Sequence, residues 1–385
     1  MKILIVRNYP SYMDVINNTY NIQEVGLAKA LIRKGNQCDI VFWTSGEEKT
    51  ISIPVTEAES ITVFYRRGNT LLKNTILKID DLIERYDVLQ SCEYNQMQSW
   101  LLSRKYPTKA VIYHGPYYSA FNKRYNLMCS IFDKIFLWSY IKNDTKFIVK
   151  SKMAFDFLEK KGIRQENITV AGVGIDTEML MNQSVECKEP LYEHLRNQAE
   201  GLRILYIGRF EERRNIPFIL DVFNRVLKFD ENAMLYMIGT GTKDYVEEIW
   251  NKAKKMGIFE KIVHQDKIEQ KYLSNIYELS DVFLLPTEYE IFGMVLLEAM
   301  YYKNIVLTTR NGGSTTIIQN GINGFILDKL DADKWSKTIE TVMGNSEKVK
   351  MIEKQAQEAI VDKYTWDGLA DCFVEEYSKR LMAKN

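Results

Sequence analysis

The feature that most limits the folds open to this chain is an alternation that runs, breaks once and starts again. Short apolar bursts recur down to Gly172: "KILIV" from Lys2, then "CDIVFW", "ITVFY", "DVLQS", "KAVIYH", "KFIVKS" and "NITVAG". Between them lie stretches of helical spacing, such as residues 25–34, where Val25, Ala28, Leu31 and Ile32 fall three and four apart. Bursts that are apolar throughout suit strands covered on both faces, and strands separated by helices pair in parallel. The pattern lapses in "TEMLMNQSVECKEPLYEHLRNQAEG" and resumes at Leu202 with "LRILYIG", followed by "AMLYMIG", "KIVHQ", "DVFLLP", "NIVLTT" and "GFIL".

An α/β chain of two doubly wound, Rossmann-like domains is the reading this supports, since 385 residues exceed what one core usually organises. The expected boundaries are residues 1–176, a polar linker over 177–201, a second domain over 202–363, and a terminal amphipathic segment, 364–385, carrying Leu369, Phe373, Val374 and Tyr377. Ligands bind beyond the C-terminal strand ends of such sheets, so two facing domains would share a central cleft.

Charge and cysteine usage remove several classes. With 51 basic and 51 acidic residues, the chain lacks the excess expected of a nucleic-acid binder. Its five cysteines are scattered, with no C-x-x-C pair, which argues against a disulfide framework or a zinc site and for the cytoplasm. "MKILIVRNYP" is too short in its apolar run for a secretory segment, and no stretch of about 18 apolar residues suggests a membrane span.

Three strings carry candidate chemistry. In "LLPTEYEIFGMVLLEAM", Glu290 and Glu298 interrupt a strongly apolar run, and a carboxylate among core residues is costly unless it is hydrogen-bonded. Eight residues apart on one helix, they would stand about 12 Å apart, too far to share one small group. The segment therefore reads as strand, then a loop over 287–292 after Pro286, then a helix opening at Gly293 and running to about Tyr302. The free N–H groups around Gly293 and Met294 suit a phosphate. The plainer alternative is a helix with solvated glutamates, and Glu288 reads as surface. In "LYIGRFEERRNIPFIL", Arg209 follows a strand-ending glycine and Arg214 precedes a helix, a pair of guanidiniums suited to a diphosphate without magnesium, or else an exposed charged loop. In "AVIYHGPYY", His114 directly follows a strand, where such sheets bind ligands, although a lone histidine is more often structural. "MIGTGTKDY" is a poor dinucleotide fingerprint, because Asp244 stands where its third glycine belongs.

Together these strings resemble family 4 retaining glycosyltransferases. "EIFGMVLLEAM" is similar to that family's E-x7-E element, with Glu290 and Glu298 as its acids, and "GRFEERRN" to its Gly-Arg-x4-Lys-Gly/Asn element. "NGGSTTIIQNGINGFIL", "VAGVGID" and "YTWDGLADCFVEEY" extend the likeness over most of the chain.

The resemblance implies a GT-B fold and transfer of a sugar from a nucleotide diphosphate-sugar, with the anomeric configuration retained and no cofactor or metal. It implies that Arg209 and Arg214 hold the diphosphate and that Glu298 accepts from the ribose. It assigns Glu290, with the N–H groups of Phe292, Gly293 and Met294, to the donor sugar, places Ile268 near the base, and gives Glu290 and His114 catalytic places. It also implies a final helix that crosses back to the first domain.

Some positions depart from the family pattern. Asn18 and Thr19 fall where many members have two glycines, Arg214 replaces a lysine, Ile291 a glycine, and Thr316 a common glutamate. The acceptor would be a glycan or lipid-linked, in surface polysaccharide or glycoconjugate synthesis. Asn126 to Lys142, "NLMCSIFDKIFLWSYIK", reads either as a helix packed on the sheet or as a peripheral contact with the inner membrane surface. A nucleotide-sugar 2-epimerase of the same fold and a non-catalytic nucleotide-sugar-binding subunit are the alternatives.

Overall fold

The computed structural model describes residues 1–9, 15, 22–71, 74–178 and 187–382. The chain forms two compact units, Met1–Asp176 with Thr365–Asn385, and Thr177–Tyr364.

The first unit is built on β1 (Lys2–Arg7), β2 (Gln37–Trp43), β3 (Lys49–Pro54) and β4 (Ser60–Arg66), a hairpin of β5 (Gly68–Leu71) and β6 (Asn74–Leu77), and then β7 (Val88–Cys92), β8 (Ala110–His114), β9 (Lys146–Val149) and β10 (Ile168–Val170). The main sheet has the order β10-β9-β8-β7-β1-β2-β4-β3. Its strands run parallel except β3, which pairs antiparallel with β4 at the edge. The central strand β1 is buried on both faces, with Ile3, Leu4, Ile5 and Val6 fully inaccessible, which is why it reads as a continuous apolar run.

The last helix, Trp366–Met382, packs within this unit. The Trp366 ring lies so close to Gly26 that a Cβ there would come within 2.2 Å of Nε1. Farther along, the Tyr377 hydroxyl donates to Gln90 Oε1 at 2.5 Å, and the Phe373 ring meets Tyr113 edge-on at 5.4 Å.

The second unit carries β11 (Arg203–Ile207), β12 (Met234–Ile238), β13 (Ile262–Gln265), β14 (Val282–Leu285), β15 (Ile305–Thr308) and β16 (Phe325–Ile326). They form one parallel sheet in the order β13-β12-β11-β14-β15-β16. The stretch expected to be a linker over 177–201 is corrected in part: Pro190–Asn197 is a helix that buries Leu191 and Leu195 in this unit. Two apolar positions four apart are too weak a period to read among so many polar neighbours.

Candidate functional site

In each sheet the chain reverses direction of growth once, and the strand ends flanking that reversal are where a doubly wound sheet opens to ligands. In the second unit β12 and β13 lie on one side of β11, while β14, β15 and β16 lie on the other. The loops leaving β11 and β14 therefore flank the switch point, and they carry Arg209, Arg214 and Glu290.

These two loops are tied together by hydrogen bonds. Glu288 N–H donates to Arg213 O at 3.0 Å, and Asn215 Nδ2 donates to Pro286 O at 2.8 Å. Across the join, Arg214 Nη1 stands 2.6 Å from Glu290 Oε2, with both side chains largely buried. Arg214 Nε is buried without a hydrogen-bond partner among the described residues. A buried guanidinium nitrogen left unpaired is costly, and an anionic oxygen would satisfy it. Arg213, which the sequence reading left unassigned, donates to Tyr289 O at 2.6 Å and approaches Glu290 at 4.0 Å.

Gly293 caps the helix Met294–Tyr301 at φ +81°, a left-handed conformation that explains a glycine at this turn. Phe292 beside it is buried. The loop after β15 closes over this turn: Gly312 N–H donates to Glu290 O at 3.0 Å, and a Cβ on Gly313 would stand 1.6 Å from Phe292 O. Only a residue without a side chain allows the two backbones to meet so closely.

Glu298 lies inside the helix, almost fully buried, accepting from Tyr277 Oη at 2.9 Å and Gln270 Nε2 at 3.1 Å. Burial pushes its carboxyl up to about 7, against the lowering effect of these two hydrogen bonds. Its carboxylate lone pairs still exceed the two donors that meet it.

Arg209 joins the charged loop after β11 through Glu211, which Arg213 also contacts. The Arg209 side chain is 78% exposed and contacts Glu211 at 3.0 Å. With Ile268 it lines a pocket of about 520 Å³ at the ends of β11, β12 and β13, walled also by Gly208, Gly239, Gly241 and Leu273.

His114 belongs to the first unit, at the end of β8. That sheet reverses between β1 and β7, and Glu93, just past β7, was missed by the sequence reading. Glu93 Oε2 stands 2.6 Å from His114 Nδ1 and accepts from the Gly115 N–H at 3.0 Å, while Lys150 Nζ lies 3.9 Å from its other oxygen. Burial would raise this carboxyl, but the hydrogen bond and charge of His114, with Lys150 and Gly115, hold it below the ordinary glutamate value. An ionised Glu93 requires the proton on Nδ1. His114 Nε2 is buried with no hydrogen-bond partner among the described residues. Glu93 sits at φ +61°, which costs a residue with a Cβ on the order of 1 kcal/mol or more and concentrates at functional sites. Asn18 and Thr19 lie outside the described residues.

Two family models divide the chain between them: "Glycosyltransferase Family 4" matches residues 25–179 and "Glycosyl transferases group 1" matches residues 191–359. The chain belongs to family 4 of the glycosyltransferases. Among its family relatives are an uncharacterised glycosyltransferase of Methanocaldococcus jannaschii, 27% identical over 55% of this chain and 54% of that one. Another is the lipopolysaccharide 1,2-N-acetylglucosaminetransferase of Salmonella typhimurium, 25% identical over 61% and 62%. The match thus spans less than two thirds of either relative. The Anabaena protein Alr3699/HepE, solved in complex with UDP, superposes with a TM-score of 0.73 over 98% of this chain and 100% of its own, at 14% identity. Sucrose-phosphate synthase from Thermosynechococcus elongatus gives 0.71 over the whole of both chains, at 15% identity. At these identities the likeness shows the fold, which for this family 4 glycosyltransferase is α/β and GT-B.

Proposed function

We propose that the chain transfers a sugar from a nucleotide diphosphate-sugar to a glycan or lipid-linked acceptor, with the anomeric configuration retained. The observation that carries this reading is the buried pair of Arg214 and Glu290 at the switch point of the second sheet, with Arg214 Nε unpaired among the described residues. A diphosphate oxygen would complete that guanidinium. The charge growing on the leaving diphosphate would be stabilised by Arg214, Arg209 and the N–H groups of Phe292, Gly293 and Met294. Two guanidiniums make the step metal-independent in this reading. Glu290 would hold hydroxyls of the donor sugar and Glu298 those of the ribose, with the base in the pocket at Ile268. His114 is the catalytic residue assigned to the first unit.

A UDP-sugar is the donor to try first, since the Anabaena relative was solved with UDP. A role in surface polysaccharide or glycoconjugate assembly draws support from the relative that acts on lipopolysaccharide. A cytoplasmic setting, at the inner membrane surface, is part of this reading.

The experiment is a thermal-shift panel of nucleoside diphosphates and their sugars with EDTA present, followed by product analysis with and without acceptor. One nucleotide diphosphate stabilising the chain, and the variant Glu290→Gln keeping its melting temperature while losing transfer, are the expected results. Full transfer by that variant rejects the site. Epimerisation of the donor without acceptor moves the assignment to a 2-epimerase, and stabilisation without any turnover moves it to a binding subunit.

A further inference from the structure

Residues 123–142 form a continuous helical rod, Lys123–Phe132, a π-turn over Asp133–Leu137, and Trp138–Lys142. One side of it is anchored in the first unit. Cys129, Phe132, Ser139 and Tyr140 are buried, Phe132 meets Tyr94 edge-on at 5.6 Å, and the Tyr140 hydroxyl donates to Tyr94 O at 2.7 Å.

The other side has apolar residues where solvent would select polar ones. Leu127 and Trp138 are each 61% exposed, Ile135 53%, Ile131 48% and Ile141 42%. Successive members stand three or four residues apart, so they form one stripe along the rod. Scattered single exposures are ordinary, but a continuous stripe of aliphatic residues with a tryptophan marks an interaction surface.

Charge says what covers it. The exposed charged residues on the rod, Lys123, Arg124, Lys134 and Lys142, are all basic. The one acid, Asp133, turns inward to Lys161 and to the Tyr94 hydroxyl. A protein partner's apolar patch does not require a uniformly positive border, whereas an anionic bilayer does. Apolar side chains flanked by lysine and arginine, with tryptophan at the boundary, are what an interfacial helix presents to headgroups.

We propose that this face docks the protein on an anionic lipid bilayer, with the rod lying in the plane of the headgroups. The start of the rod adjoins His114 through one side chain. Phe157 lies 5.6 Å from the His114 ring, 4.8 Å from that of Tyr118 in the loop before the rod, and 6.5 Å from that of Tyr125 in its first turn. A bilayer on this face therefore runs beside the end of the sheet that carries His114, where a lipid-linked acceptor presents its headgroup. This deepens the lipid-linked acceptor reading and rests on it for purpose only.

The test is co-sedimentation of the full chain with vesicles of phosphatidylcholine alone and of phosphatidylcholine with about a third phosphatidylglycerol, in the absence of any sugar donor. Docking and transfer can then fail separately. The chain is expected to bind the anionic vesicles, to bind neutral ones at least ten-fold more weakly, and to lose binding as salt rises from about 0.1 M to about 0.5 M. The pair Lys134→Ala and Lys142→Ala should weaken partitioning roughly five-fold for each base removed. The pair Ile131→Ser and Trp138→Ser should abolish it with the melting temperature unchanged, because both side chains are exposed. Failure of the folded wild-type chain to bind anionic vesicles overturns the proposal, as does equal binding to neutral ones. Undiminished binding by the serine variant overturns the assignment to this face. Self-association that the serine variant abolishes, with no vesicle binding, gives the face to a second copy of the chain instead.

Discussion

At the scale of single residues, the second unit sets one acid against a guanidinium and, eight residues on, encloses another among neutral donors. Glu290 lies against Arg214, whereas Glu298 is enclosed with only neutral donors, and its carboxyl is raised to about 7. Below about pH 4.5 Glu298 is protonated in both folded and unfolded chains, so folding carries no penalty from it. As pH rises through 4.5 to 7 the unfolded chain releases its proton first, and stability falls by about 3 kcal/mol in total, since each unit is worth about 1.4 kcal/mol. Glu298→Gln removes that component. Urea unfolding of both proteins from pH 4 to 8 should show the wild type losing stability relative to the variant across this range; parallel profiles would mean that burial does not raise the Glu298 carboxyl. Glu93 has the opposite sign: its lowered value stabilises the fold at neutral pH, and that stability is lost as pH falls through the folded value. Glu93→Gln should cost roughly 1–3 kcal/mol at pH 7, because it leaves a buried donor poorly matched, and Glu93→Asp should recover only part of this. Glu290, Glu298, Arg209 and Arg214 could be picked out as candidates because each belongs to a local string. Glu93 was not, because its partner is 21 residues away and its left-handed backbone leaves no mark in composition.

At the scale of elements, most of the legible strands are buried along nearly their whole length, as β1, β7, β8, β12, β14 and β15 are. β1, β2, β4 and β7 to β16 all announce themselves as short apolar bursts, whereas β3, β5 and β6 do not. In β3 the side chains alternate between exposed and half-buried, so "KTISIP" lacks the continuous run that marks its neighbours. Its antiparallel pairing at the edge follows from the same facts, since an edge strand with one face in solvent needs no helical crossover. The donor-side loops depend on tight joins between elements, and the tightest is Gly313 against Phe292 O. Gly313→Ala must push apart two backbones, so it should cost roughly 1–3 kcal/mol and several degrees in melting temperature. Because the displaced strand of loop holds Glu290, the KM for the donor should rise as well. A variant with unchanged stability and unchanged KM would show that the loop after β15 does not brace the site.

At the scale of the whole molecule, chain order and structural membership part company at the C-terminus. The last helix follows the second unit in sequence but buries Trp366, Phe373 and Tyr377 in the first. Large aromatic side chains cost about 3–5 kcal/mol each when cut to alanine in a core, a sizeable share of the 5–15 kcal/mol that holds a typical fold. In the proposed reading nucleotide binding acts on the other unit, where a diphosphate at a hundred times its dissociation constant would add about 2.7 kcal/mol. The two effects can be separated in the intact chain by hydrogen exchange. Tyr377→Ala should raise exchange in β1, β7 and β8 and leave β11 to β15 at wild-type protection, because its hydroxyl and ring are enclosed by first-unit residues such as Gln90 and Phe373. A saturating nucleoside diphosphate should slow exchange in the loops after β11 and β14, including Arg214 and Gly293, in wild type and variant alike. Protection gained only in the loops after β7 and β8 would move the nucleotide to the first unit and leave the unpaired Arg214 nitrogen without its proposed ligand. Protection at Arg214 and Gly293 that survives Tyr377→Ala would locate the donor site in the second unit's own loops.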